Sequence, residues 1–154
     1  MAQTENQRAN VERDKAGAAV SQKQVMQGQT ESTLAALKNA VPMLRLVGDN
    51  LMKAGRPAEA ARIYGLGADV APQDVSLQRA RANALQTSKQ LPEAITAYRK
   101  LLELGPDQQA KRNLEISTSL LEKNGGTGEL KPDVLKLLIE DLEAQGRALE
   151  AALL

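Results

Sequence analysis

The chain of 154 residues contains no cysteine, no histidine, no phenylalanine and no tryptophan. The first absence excludes disulfides, thiolate metal sites and thiol catalysis, and it leaves cysteine usage silent on redox compartment. The second removes the commonest general base and metal ligand. Tyr64 and Tyr98 are the only aromatic residues, so the platforms on which single-stranded nucleic acid stacks are also missing. An excess of one charge is lacking too: 20 basic side chains stand against 19 acidic ones, and the composition carries no polyanion-binding stripe. No apolar run reaches the length of a membrane span, and the opening MAQTENQRANVERDKAGAAV holds no signal-peptide core. Together these absences lead to the expectation of a cytoplasmic protein that neither binds nucleic acid nor inserts into a membrane.

What is present changes in character near residue 30. Up to Thr30 the only large apolar residues after the initiator are Val11, Val20, Val25 and Met26, among many Gln and Asn. Such a segment cannot bury enough surface to offset its ordering entropy alone. Residues 1–30 therefore read as a polar tail, disordered in isolation or helical on assembly, and residues 31–154 as a helical domain. In that domain Leu34, Leu37 and Val41 begin an apolar pattern at helical spacing, with Thr30 or Ser32 as the N-cap and Pro42 as a break or a first-turn residue. A helix over 43–54 follows, stopped by Gly55, and Pro57 opens the next, whose buried side is Ala60, Ala61, Ile63 and Tyr64.

A shift of 34 residues superimposes Arg45 on Arg79, Leu51 on Leu85, Glu59 on Glu93, Ala60 on Ala94, Tyr64 on Tyr98 and Pro72 on Pro106. This period and residue set resemble the tetratricopeptide repeat, a helix-turn-helix unit of 34 residues. The family's leucine-glycine pair followed by an aromatic appears as Val47, Gly48 and Leu51, while Leu44 and Gln78 replace its opening tryptophan and Arg81 and Ala82 replace the pair in the second unit. The resemblance implies an all-α solenoid of hairpins, with repeats at about 41–74 and 75–108. Small residues at Gly48, Ala60, Ala82 and Ala94 would let paired helices approach, and the two tyrosines would fill the space between hairpins.

Beyond Pro106 the register loosens. DQQAKRNLEISTSLLEKNGG predicts a helix over 108–123 with Asp107 as N-cap and Asn124–Gly125 as its stop. After the loop NGGTGELKP, residues 132–154 repeat the first unit at a shift of 91: Leu44 matches Leu135, Leu51 matches Leu142, Gly55 matches Gly146, Arg56 matches Arg147 and Glu59 matches Glu150. Two registers are open. Either helix 108–123 is an insertion before a partial third repeat at 132–154, or it is the first helix of the third hairpin and 132–144 is its partner.

The search for catalytic chemistry is negative. Neither GLGADV from Gly65 nor GGTG from Gly125 completes a phosphate-binding fingerprint, because Lys131 is followed by Pro132 and neither cluster follows a strand. The carboxylates Glu140, Asp141 and Glu143 fall on a predicted helix with no apolar pocket to tune them. The expectation is a protein that is not an enzyme and uses no metal or cofactor.

Surface recognition remains. In stacked hairpins of this kind the first helix of each lines the concave side. The resemblance then assigns the groove to Arg45, Asp49 and Lys53 in the first unit, Arg79, Asn83 and Thr87 in the second, and Lys136 and Glu140 in the third. Arg45, Arg79 and Lys136 would form a line of cations suited to an acidic segment or a terminal carboxylate. Arg79 with Asn83 looks like part of the carboxylate clamp that holds chaperone tails in some members, although Asp49 stands where that clamp has asparagine. Leu149, Leu153 and Leu154 would leave an apolar end to be covered by another copy of the chain, a partner or helix 108–123. The expected partner is another protein or peptide segment, received by an adaptor or chaperone. The alternative is a structural subunit packed through its repeats and tail.

Overall fold

The computed structural model describes residues 2–154, with side chains from Glu5 onward, and every regular element among them is helical. The order is α1 (Ala2–Lys53), α2 (Pro57–Val70), α3 (Val75–Thr87), α4 (Leu91–Leu104), α5 (Gln108–Asn124), α6 (Pro132–Ala144) and α7 (Ala148–Ala151). Two compact units divide the chain, Met1–Asn39 and Ala40–Leu154.

The first unit is a stretch of α1 without a core. Every side chain from Glu5 to Asn39 is exposed, including Val11, Val20, Leu34 and Leu37. Thr30, expected as a cap, is helical, and its hydroxyl turns back to the carbonyl of Met26 at 2.8 Å, as Thr33 does to Gln29. A threonine inside a helix satisfies its hydroxyl in this way.

In the second unit Pro42 lies inside α1, neither at a break nor in a first turn as expected. An interior proline costs a helix about 3 kcal/mol. The neighbouring Val41 is buried, and Gly48 packs directly against Tyr64, and such tertiary packing overrides local propensity. A Cβ on Gly48 would stand 2.4 Å from the Tyr64 ring, so only glycine admits the tyrosine there. Ala60, Ala82 and Ala94 are wholly buried, as the expected close approach of helices requires.

Consecutive helices from α2 to α7 pack on one another. Local signals account for their ends. Asp74 caps α3 by accepting from the Leu77 amide at 3.0 Å, and Asp107 caps α5 by accepting from Ala110 at 3.0 Å. Pro57, Pro92 and Pro132 occupy the first turns of α2, α4 and α6. One backbone turn recurs at the far ends of α1, α3, α5 and α6. Arg56 N donates to Leu51 O, Gln90 N to Leu85 O, Gly126 N to Leu121 O and Arg147 N to Leu142 O, at 2.8–3.0 Å. The residue before each donor is left-handed: Gly55, Lys89, Gly125 and Gly146. This is the Schellman arrangement, for which glycine is the usual choice. Lys89 takes the same conformation despite its Cβ.

Two hydrophobic clusters result. The first is rich in alanine and is built around Tyr64, Leu77, Tyr98 and Leu101. The second is rich in leucine and joins Leu91 and Leu120 to Val134, Leu138, Leu142 and Ala151. Leu154 is half-buried against this second cluster, so part of the apolar C-terminal segment is covered by the chain itself.

Candidate binding cleft

A cleft of about 570 Å³ opens in the second unit between the end of α1, the middle of α2 and α3, and the segment around α7. Its apolar wall is Met52, Ala80, Leu149 and Leu153, and its polar wall includes Asp49, Lys53, Asn83 and Glu150. The turn after α6, the one that also ends α1, aims α7 back across α3.

Most of the polar wall is already engaged. The Tyr64 hydroxyl donates to Asp49 at 2.6 Å. The Tyr98 hydroxyl sits 2.8 Å from Asn83 Oδ1 and 3.2 Å from Gln86 Oε1, and accepts from Asn113 Nδ2 at 3.2 Å. Gln86 is wholly buried and donates to Ser117 at 3.1 Å. Arg147 Nη1 donates to Gln86 Oε1 at 2.6 Å, while its Nε reaches Glu150 at 3.0 Å and its Nη2 closes a second bond to the same carboxylate. Thr87 Oγ1 lies 2.5 Å from Oε2 of that carboxylate, the oxygen that Nη2 also binds. The result is a continuous network from α7 through α3 to α4 and α5.

Burial raises the hydroxyl pKa of both tyrosines, and for Tyr64 the hydrogen bond to Asp49 raises it further. Both therefore act as neutral donors. Burial alone would lower Arg147, but the hydrogen bonds and charge of Glu150 outweigh it and hold the guanidinium protonated.

The residues assigned from the sequence divide clearly. Asp49, Lys53 and Asn83 line the cleft together with Leu149 and Leu153, and Thr87 holds the carboxylate of Glu150 on its wall. The line of cations is not assembled there. Arg45 is exposed, with no ion pair among the described residues. Arg79 Nη2 binds Asp107 at 2.6 Å and braces the cap of α5. Lys136 and Glu140 face each other at 3.8 Å on the exposed side of α6. None of these four residues lines the cleft. Leu149 is 84% exposed, and Leu153 reaches the turn at Gly55.

Reasoning from the sequence missed Gln86, Asn113, Ser117, Arg147 and Glu150 as parts of the cleft network. Two signals pointed to four of them. Asn113 and Ser117 stand 34 residues after Arg79 and Asn83, and Arg147 and Glu150 repeat Arg56 and Glu59.

Among the described residues no group of three or more Asp or Glu side chains is placed to hold a metal, and no helix is long and apolar enough to cross a membrane. No protein-family model, curated protein or solved structure matches the chain.

Proposed function

We propose that the second unit is a tetratricopeptide-like interaction module, without catalytic activity, that receives a peptide segment of another protein in the cleft between α1, α3 and α7. It acts as an adaptor or chaperone. The observation that carries this reading is the mixed wall of the cleft: Met52, Ala80, Leu149 and Leu153 offer apolar surface beside Lys53, Asp49 and Asn83. A groove of this composition takes a short segment through apolar anchors and fixes its register through a few polar contacts. Support for the repeat reading comes from the 34-residue echo, the buried alanines and the recurring turn.

Panning a random peptide library against the full chain tests it. Selected peptides should shift the amide resonances of Met52, Lys53 and Asn83, and Lys53→Glu should weaken them at least fivefold. Peptides that perturb only other faces, or a library that yields none, would remove the cleft from consideration.

The first unit supports a second reading. Val11, Val20, Val25, Met26, Leu34 and Leu37 stand exposed on a helix with no core of its own, which suits a structural subunit whose helix is covered by its neighbours. A light-scattering mass equal to one chain across a wide concentration range would count against self-assembly through that helix.

A further inference from the structure

The segment from Gln145 to Leu154 already occupies one end of the cleft, and the manner in which it is held describes what the rest accepts. Its hold is polar. The Arg147 guanidinium and the Glu150 carboxylate form a two-pronged pair whose side chains are only 12% and 22% exposed. Gln86, Thr87 and the Asn83 carbonyl supply the remaining polar contacts from α3, at 2.6, 2.5 and 3.5 Å. Removing a guanidinium and a carboxylate from water is costly unless their hydrogen bonds are met, and α3 offers an acceptor to one and a hydroxyl to the other. Its apolar hold is slight. Ala151 is the only buried residue of α7, Leu154 is half-buried against the leucine-rich cluster, and Leu149 and Leu153 remain exposed on the wall of a cleft that the segment leaves open. Elements with few buried apolar contacts sit at the low-stability end of a fold.

Resting on the reading of the cleft as a peptide groove, we infer that α3 is a seat for a helical partner segment of the pattern Arg-x-x-Glu followed by a bulky apolar residue. The C-terminal segment holds that seat until such a partner displaces it. The partner's Arg-Glu pair takes the places of Arg147 and Glu150 on Gln86 and Thr87. Its apolar residue enters the open cleft, whose wall includes Met52, Ala80 and Ala152. The bound partner thus gains apolar burial that the resident segment lacks.

The test uses the full chain and a fluorescent synthetic peptide of residues 145–154, in its native form and with Ala152→Leu. A tethered segment acts at an effective concentration of about millimolar, so the wild-type chain should bind both peptides weakly. In the double variant Arg147→Ala, Glu150→Ala neither charge is left unpaired. It should bind the native peptide at least tenfold more tightly than the wild type does, and the Ala152→Leu peptide at least fivefold more tightly again. A peptide carrying Arg147→Glu should not bind.

Equal affinity of wild type and double variant would overturn the inference, as would no binding by a double variant that keeps its helical circular dichroism and cooperative melting. A doubled mass of that variant without peptide would also overturn it, by giving the seat to a second copy. Should the double variant not fold, hydrogen exchange on the wild type with millimolar Ala152→Leu peptide decides. Faster exchange at the amides of Ala151 and Ala152, with α6 unchanged, supports displacement, and unchanged exchange there overturns it. Library peptides that map to the cleft while the 145–154 peptides fail would sink this inference alone. Failure of both would sink the reading of the cleft beneath it.

Discussion

At the start of α2 and at the start of α7 the chain uses the same local arrangement. A Schellman turn at Gly55 or Gly146 is followed by an arginine that binds the glutamate three residues on, Arg56 to Glu59 and Arg147 to Glu150. The first pair stands in water, with 56% and 48% of its side chains exposed; the second is 12% and 22% exposed, against α3. Identical local chemistry therefore has different weight. An exposed pair gains little, because water competes for both partners and holding two long side chains costs entropy. A mostly shielded pair is committed, since either partner left alone is a charge with little solvent. The two hairpins also divide the work of holding differently: Gly48 and Tyr64 join α1 to α2 by close packing, whereas α7 is held to α3 by polar anchors.

The largest expected effect breaks the partly buried pair. Glu150→Ala leaves Arg147 without its carboxylate and should undock the α7 segment, a loss of up to about 3 kcal/mol in urea unfolding that cannot exceed the docking free energy of that segment. Next comes the packing side of the comparison. Gly48→Ala drives a methyl into the Tyr64 ring and should cost about 2 kcal/mol, within the range for overpacked cores, again from urea midpoints.

The Arg79–Asp107 pair, 45% and 11% exposed, lies between the extremes and sharpens the gradient. Asp107→Ala removes both the ion pair and the α5 cap and should cost about 1 kcal/mol at neutral pH. Burial raises the Asp107 pKa, but the Ala110 amide and Arg79 more than offset this, so its carboxyl lies below the ordinary value in the fold. A group lowered on folding contributes stability above its unfolded pKa and loses it as pH falls through the folded one. The gap between wild type and Asp107→Ala should therefore narrow only in strongly acidic solution.

Smaller still is the shared turn itself. Lys89 holds a left-handed conformation that its counterparts give to glycine, so Lys89→Gly should raise stability by about 0.5 to 1 kcal/mol in thermal unfolding. The smallest effect is the control. Glu59→Ala should change stability by less than about 0.5 kcal/mol and lose even that in high salt. A Glu59→Ala loss as large as that of Glu150→Ala would mean that burial is not what separates the two pairs.

Much of the helical layout was legible because its signals are local. Asp107, Pro57, Pro132, Gly55 and the Asn124–Gly125 stop act within a few residues of the ends they set, and helices 108–123 and 132–144 were placed within a residue of α5 and α6. Both open registers left a trace. The turn at Gly146 repeats the one at Gly55, as the 91-residue echo implies, while α5 also ends in that turn and packs between α4 and α6. The cleft was only half legible. Asp49, Lys53 and Asn83 could be assigned from their register, yet the fate of Arg79 depended on Asp107, 28 residues away, and that of Thr87 on Glu150, 63 residues away.

By itself, then, the sequence determined where helices start and stop, which positions must be small, and which residue types are missing, because capping, φ preference and composition are properties of neighbouring residues or of none. Only the tertiary structure decided that α1 runs through Pro42, that Arg79 serves a helix cap in place of the cleft, and that Arg147 and Glu150 are partly buried while Arg56 and Glu59 are exposed. Each of those outcomes is set by what a distant segment brings against the residue. The free energy of a charge or an interior proline depends on the surroundings that folding supplies.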